Sequence, residues 1–175
     1  MRKVEVSTYK EQWALMFEAE AEQLRGILGL QLIDIYHIGS TSISGLKAKP
    51  IIDIMPVVRD IELVDEYNQS MREIGYEPKG ENGIVGRRYF EKGGDNRTHH
   101  VHIYEIGSPE IERHLAFRDF LMTHPARVVE YGELKGHLAQ QFPYDIESYI
   151  NGKERLVSEI DRKALQWYRE NKKNI

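Results

Sequence analysis

The segment Ile51–Val58 (IIDIMPVV) constrains the fold more than any other stretch, because it is apolar on both faces of a strand except at Asp53. A strand without a polar face suits the interior of a sheet that is covered on both sides. A carboxylate in such a strand costs free energy unless it is paired, hydrogen-bonded or bound to a metal. The segment therefore predicts a layered protein with an interior sheet, and it marks Asp53 as a residue with a special partner.

Hydrophobic periodicity divides the 175-residue chain into alternating strands and helices up to about Glu105, followed by helices alone. The predicted helices cover residues 9–28 (with Ser7 as a partial cap), 61–74, 109–123, 126–141 and 146–171. The predicted strands cover residues 32–38, 51–58, 87–91 and 99–104, and the last two are joined as a hairpin by turn residues 92–96. We expect one α+β domain over residues 1–175, with a mixed sheet covered by helices and a helical C-terminal part from about residue 109.

Composition excludes several classes of protein. The chain has no cysteine, which removes disulfides, thiolate metal sites and cysteine nucleophiles and is consistent with a reducing cytoplasm. The net charge of −4 argues against strong non-specific binding of nucleic acid and makes nucleic acid an unlikely partner, although it leaves room for a local basic surface. No apolar run approaches the roughly 18 residues that would cross a bilayer, and the N-terminus lacks the apolar middle of a signal peptide. We expect a soluble cytoplasmic protein without a membrane partner.

The run His37-Ile38-Gly39-Ser40-Thr41-Ser42 precedes the Asp53 strand and offers a phosphate site. Gly39 permits a tight turn and a close ligand approach, and the hydroxyl residues after it can cap a short helix. The free N–H groups at such a helix start bind anions. The same run also fits an ordinary turn with a helix cap, and its spacing alone favours that interpretation.

The run Arg97-Thr98-His99-His100-Val101-His102-Ile103-Tyr104-Glu105 is the second candidate site. In a strand, His100 and His102 lie on one face, where they can chelate one metal ion, contact a phosphate or donate a proton. They also fit a structural role as hydrogen-bonded strand residues. Nitrogen ligands suit Zn or Mn, whereas a carboxylate suits Mg.

The other polar features are weaker. The chain lacks the G-x-S-x-G, GxxxxGK[ST], H-E-x-x-H and G-x-G-x-x-G motifs, which disfavours a hydrolase, a P-loop kinase, a zincin or a Rossmann dehydrogenase. Scattered basic residues can bind phosphate, although a solvated surface position is the simpler interpretation for each. They are Lys49, Arg87, Arg88, Arg118, Lys135 and Lys153.

Six pieces in one order resemble the GrpB (UPF0157-type) family of bacterial proteins: HIGSTSISGLKAKPIIDIMPVV, RRYF, RTHHVHIYE, RHLAFRDFLMTHP, YGELKGHLA and YINGKE. The family is similar to the nucleotidyltransferase superfamily, which implies a polymerase-β palm-like fold. On this resemblance Gly39, Ser40 and Thr41 would bind the nucleotide phosphates, with Arg88 and Lys153 offsetting their charge. Asp53 would be the catalytic, metal-binding carboxylate.

The chain departs from the superfamily pattern at Met55, where a second carboxylate is expected. Two-metal phosphoryl transfer normally uses several carboxylates to hold ions about 4 Å apart. The missing ligand could come from His100, His102 or Glu105, or the chemistry could be lost.

Three hypotheses about function follow. The first is a nucleotidyltransferase that uses a nucleoside triphosphate and Mg or Mn held by Asp53 and His102, with an acceptor that the sequence does not identify. The second is a catalytically degenerate module that binds a nucleotide or coenzyme; the fusion of some relatives to dephospho-coenzyme A kinase suggests a coenzyme A-linked ligand. The third is a histidine-centred metal hydrolase that uses His99, His100 and His102; it ranks last, because three ligands are needed and these histidines cannot all share one strand face.

Overall fold

The computed structural model of the protein describes residues 2–172, and they divide into two compact units. The sheet unit comprises Glu11–Ile38 and Ile51–Ile111. The helical unit comprises the residues up to Lys10, Gly39–Pro50, and the residues from Glu112 onward. No helix among residues 2–172 combines the length and the apolar character needed to cross a membrane.

The sheet unit contains five strands in the spatial order β1-β2-β5-β4-β3. Strand β2 pairs antiparallel with β1 and parallel with β5, and the β5–β4 and β4–β3 pairs are antiparallel, which makes the predicted mixed sheet. The strands are β1 (Leu32–Ile38), β2 (Ile52–Val58), β3 (Tyr76–Pro78), β4 (Arg88–Lys92) and β5 (His99–Glu105). Helix α1 (Gln12–Leu28) packs on β1 and β2, and α2 (Asn68–Glu73) packs on β3.

The packing of α1 on the sheet shows which face of β2 carries Asp53. Ile52, Ile54 and Met55 in β2 are fully buried, as the apolar pattern predicts. Phe17 of α1 stacks on His37, with ring centroids 4.9 Å apart, and His37 pairs with Ile54 across the strands. Because side chains alternate along a strand, α1 covers the face of the sheet opposite to Asp53.

The helical unit is built from α3 (Pro109–Thr123), whose first turn lies in the sheet unit, α4 (Pro125–Gln141) and α5 (Ile146–Lys172). The apolar sides of these helices pack together with the residues up to Lys10 and with the segment Gly39–Pro50. Its main cluster contains Ile43, Leu46, Ala116, Phe120, Leu121, Val128, Tyr131, Ile160 and Ala164. A smaller cluster joins Val4, Leu138 and Tyr149.

Three local predictions require correction. Helix α1 begins at Gln12 rather than Tyr9, and Ser7 is not its cap but exchanges backbone hydrogen bonds with Ala48. The predicted helix 61–74 is a 3-10 helix (Glu62–Tyr67) followed by the short α2. Strand β3 was not predicted, because three residues are too few to show a period.

Candidate metal and anion site

Asp53 lies in β2 with a strand paired on each side. Its neighbours in the sheet are Ile38 of β1 and His100 of β5. Its side chain retains 26% exposure, although Ile52 and Ile54 on either side are fully buried. The carboxylate is therefore a reachable polar group set into an apolar strand.

Two imidazoles of β5 converge on one oxygen of Asp53. His102 Nε2 lies 3.0 Å and His100 Nδ1 lies 3.3 Å from Asp53 Oδ1. Burial by itself raises the pKa of Asp53, but the hydrogen bonds from His100 and His102, together with the electrostatic attraction of these two groups, outweigh burial and hold the pKa well below its ordinary value. Asp53 is therefore ionised throughout the physiological range.

These three side chains can supply a metal-binding set. One ligand atom from each lies within 4.8 Å of the others. A carboxylate oxygen with two imidazole nitrogens is a donor set that Mn, Fe or Zn accepts more readily than Mg, which prefers oxygen. The donor chemistry thus fits a divalent transition metal.

The structure distinguishes the residues that could replace the second carboxylate. The β2–β5 pairs keep one offset from Ile52↔His99 to Val58↔Glu105, which places Met55 beside His102 on the Asp53 face. Met55 is fully buried. Glu105 is exposed and accepts a hydrogen bond from the Ile61 amide at 3.2 Å. The imidazoles, and not Glu105, therefore stand next to Asp53.

Two guanidinium groups contact the far sides of the imidazoles. Arg87 Nη1 lies 3.4 Å from His102 Nδ1, and Arg97 Nη1 lies 3.1 Å from His100 Nε2. Arg97 also donates to Glu91 at 2.7 Å. The cluster formed by Asp53, His100, His102, Arg87 and Arg97 is called the β2–β5 site below.

Tyr89 completes the lining of the β2–β5 site. Its ring centroid lies 5.6 Å from that of His100 and 5.3 Å from that of His102, and its hydroxyl donates to Glu91 at 3.2 Å. Burial and the nearby Glu91 carboxylate raise the pKa of Tyr89, so its hydroxyl remains protonated. The two arginines balance the charges of Asp53 and Glu91.

Arg88, predicted to bind nucleotide, has another partner. Its Nε donates to Asp65 Oδ1 at 2.7 Å and its Nη2 to Oδ2 at 3.3 Å. In the β4–β5 pair, Tyr89 lies opposite His102 and Arg88 lies opposite Ile103. Because side chains alternate along a strand, the Arg88 side chain lies on the face opposite to the β2–β5 site. Arg87, one residue earlier, makes the contact with His102.

The remaining predicted residues belong to the helical unit. Gly39 has φ 70° and ψ −171°, a conformation that is essentially restricted to glycine. The 3-10 helix Ser40–Ser42 follows, and Thr41 is buried. Lys135, which is only 2% exposed, donates a hydrogen bond from Nζ to the hydroxyl of Ser40. Buried Lys135 thus fixes the Gly39–Ser42 turn from α4.

Lys153, the last predicted nucleotide ligand, lies on α5 beside an aromatic ring. Its Nζ is 5.1 Å from the centroid of Tyr149, and Lys49 Nζ is 5.3 Å from the same centroid. Each ammonium thus makes a cation–π contact with a buried ring. These two lysines concentrate positive charge in the helical unit.

Sequence reasoning gave little weight to Arg87, Arg97 and Lys135. Arg87 is two residues before Tyr89, so alternation along β4 places both on one face, but choosing Arg87 over Arg88 requires the register of the β4–β5 pair. Arg97 precedes the histidine run in the hairpin. Lys135 gives no signal, because a lysine in a helix is normally exposed.

The GrpB protein family model matches residues 3–163. UPF0157 protein YqkA of Bacillus subtilis is 52% identical over 166 residues, covering 95% of this chain and 48% of YqkA, so the chain spans about half of that relative. A dephospho-CoA kinase of Mycolicibacterium paratuberculosis is 23% identical over 181 residues, covering 89% of this chain and 44% of that enzyme.

Solved structures agree with the sequence matches. The crystal structure of conserved protein GrpB from Enterococcus faecalis has a TM-score of 0.91 and 45% identity, covering 94% of this chain and 99% of that one. The Cid1 poly(U) polymerase with bound MgGTP has a TM-score of 0.53 and 12% identity, covering 76% of this chain and 44% of Cid1. The second likeness shows the fold alone. Since the family model and a solved GrpB structure both cover nearly the whole chain, the protein belongs to the GrpB family and has a nucleotidyltransferase-like fold.

Proposed function

We propose that the protein is a metal-dependent nucleotidyltransferase that uses a nucleoside triphosphate. The observation that carries the proposal is the convergence of Asp53, His100 and His102 on neighbouring strands of a nucleotidyltransferase-like sheet. In the reaction, the oxygen of an acceptor hydroxyl forms a bond to the α-phosphorus and its proton passes to solvent. The bond from the α-phosphorus to the bridging oxygen breaks, and its electron pair leaves with pyrophosphate. The nucleotidyl group would pass to a small molecule or another acceptor.

Asp53, His100 and His102 would hold the cation, and Mn or Zn suits this donor set better than the Mg that an all-carboxylate site would select. A bound cation neutralises phosphate charge during phosphoryl transfer. In this proposal His102 stands in for the carboxylate that Met55 replaces. Gly39, Ser40 and Thr41 bind phosphate, and Lys153 offsets its charge. Arg88 is left out of this proposal, because its side chain lies on the opposite face of the sheet and is paired with Asp65.

Turnover assays test this proposal. Purified protein is incubated with ATP, GTP, CTP or UTP and with Mn²⁺, Mg²⁺ or chelator, and pyrophosphate release is measured. We expect release with one nucleotide and Mn²⁺, abolished by Asp53→Ala. The matched control is Asp34→Ala, which removes an exposed carboxylate of the sheet unit that accepts a hydrogen bond from the Ile35 amide. Turnover that persists in Asp53→Ala would refute the role of Asp53.

A second candidate function is a nucleotide- or coenzyme-binding module without catalysis. Met55 favours it, because a methionine stands where a second carboxylate is expected and only Asp53 contributes a carboxylate to the metal-binding set. The similarity to a dephospho-CoA kinase makes coenzyme A a ligand to test. A ligand at a hundred times its dissociation constant adds about 2.7 kcal/mol of stability, which a thermal shift detects. A shift with nucleotide or coenzyme A, without metal dependence or turnover, would favour the module.

A further inference from the structure

The β2–β5 site has an arrangement of hydrogen-bond donors that differs from that of ordinary histidine metal sites. A guanidinium group is a donor only, so the ring nitrogen facing each arginine must be an acceptor. His102 therefore accepts at Nδ1 and carries its proton on Nε2, while His100 accepts at Nε2 and carries its proton on Nδ1. Both N–H groups then point at Asp53 Oδ1, at 3.0 and 3.3 Å.

This arrangement and a bound cation exclude each other. A metal ion needs the lone pair of the ring nitrogen that faces Asp53, so the proton of the neutral ring must sit on the far nitrogen. Metal-bound histidines normally donate from that nitrogen to a carboxylate or a carbonyl. In the β2–β5 site the N–H group on the far nitrogen of each imidazole would face an arginine N–H group, so two donors would oppose each other.

The arginines are held in place by other acceptors. Arg87 is buried and donates from Nη2 to the Asn82 carbonyl at 2.7 Å and from Nε to the Glu81 carbonyl at 3.1 Å. Arg97 is bound to Glu91 at 2.7 Å and to the Gly94 carbonyl at 3.1 Å. The guanidinium groups are therefore fixed beside the imidazoles, and a competing acceptor is needed to draw them away.

We propose that Arg87 and Arg97 are positioning residues that lock the imidazoles in a cation-excluding state, and that a phosphate-bearing ligand releases the lock. Phosphate oxygens accept paired hydrogen bonds from guanidinium groups. When they do so, the imidazoles are free to exchange tautomers and offer lone pairs toward Asp53. Ligand and cation then favour each other's binding, as reciprocal coupling requires. The choice of a phosphate-bearing ligand rests on the proposed function, whereas the lock itself does not.

Binding of Mn²⁺ alone, followed by electron paramagnetic resonance, tests the lock without any nucleotide. Arg87→Gln and Arg97→Gln place an amide oxygen where a donor stood, and we expect each to tighten Mn²⁺ binding by about tenfold or more. The matched control is Lys79→Gln, which removes one positive charge next to Glu91, 3.7 Å away, without removing a donor to an imidazole. The proposal is wrong if the arginine variants bind Mn²⁺ no more tightly than the parent, or if Lys79→Gln matches them.

Long-range ¹⁵N NMR of the imidazoles supplies a readout that general charge effects do not move. We expect the Nε2–H tautomer for His102 and the Nδ1–H tautomer for His100 in the metal-free protein, with each tautomer preference lost in the matching arginine variant. The opposite tautomers in the parent protein would overturn the lock.

The ligand is tested with a non-hydrolysable ATP analogue in the presence of chelator. We expect it to shift the imidazole ¹⁵N signals, because its phosphates take over the guanidinium groups. Unchanged signals in protein that a thermal shift shows to be saturated would refute the release step. Absence of any nucleotide binding would refute the proposed function and the release step, while the Mn²⁺ experiment would still decide the lock.

Discussion

Replacement of Asp53 by Asn separates the charge of this side chain from its shape. Hydrogen bonds to charged groups contribute about 1.5–3 kcal/mol each, and the burial of the carboxylate offsets part of the two that His100 and His102 donate. We therefore expect Asp53→Asn to lower the free energy of unfolding by about 2 kcal/mol at neutral pH in the presence of chelator.

The pH dependence of this loss follows from the lowered pKa of Asp53. Because the folded-state pKa lies below the ordinary value of 3.8, the stabilisation is fully present above that value and is lost as the pH falls toward the folded-state pKa. Between pH 6 and pH 3, Asp53 takes up a proton in the unfolded chain but not in the folded protein. This uptake reduces the difference in free energy of unfolding between the parent protein and Asp53→Asn by about 1 kcal/mol.

Urea unfolding of both proteins at a series of pH values between these limits measures the difference directly. A stability difference that stays constant down to pH 3 would refute the charge-based account of Asp53. Equal stability at neutral pH would show that the hydrogen bonds from the imidazoles contribute nothing net. A control with Asp34→Asn, at an exposed strand position, checks that the effect is specific to the β2–β5 site.

Three further predictions concern stability. Gly26→Ala, within α1 and with nothing near the added carbon, should raise the free energy of unfolding by about 0.5–1 kcal/mol in thermal or urea unfolding; a loss would contradict the open surroundings. Gly93→Ala should destabilise the β4–β5 hairpin, because φ is 104° and the added carbon would overlap the Asn96 carbonyl oxygen; parental stability would refute the turn geometry. Met55→Asp should cost more than about 2 kcal/mol in chelator, and Mn²⁺ should restore part of it; a loss that Mn²⁺ leaves unchanged would show that position 55 does not face the cation held by Asp53.

The sequence predicted most elements because their periods are strong. The strand Leu32–Ile38 and the helix Pro109–Thr123 have the predicted ends, and the hairpin between β4 and β5 forms at the predicted turn residues. Asp53 and the imidazoles could be selected because a carboxylate in an apolar strand and histidines at a two-residue step are unusual in themselves. Arg87 could not be preferred to Arg88, because a one-residue change in register exchanges the faces of a strand.

The sequence by itself determined which segments form strands and helices, the mixed sheet and the family, since these depend on local hydrophobic pattern and on motifs in order. Only the tertiary structure decided which polar groups meet. It brought Asp53 and His102, 49 positions apart, to 3.0 Å, and it assigned Arg88 to Asp65. Such contacts depend on strand order and register, which are fixed when separate segments bury their apolar faces together, and no local pattern records them.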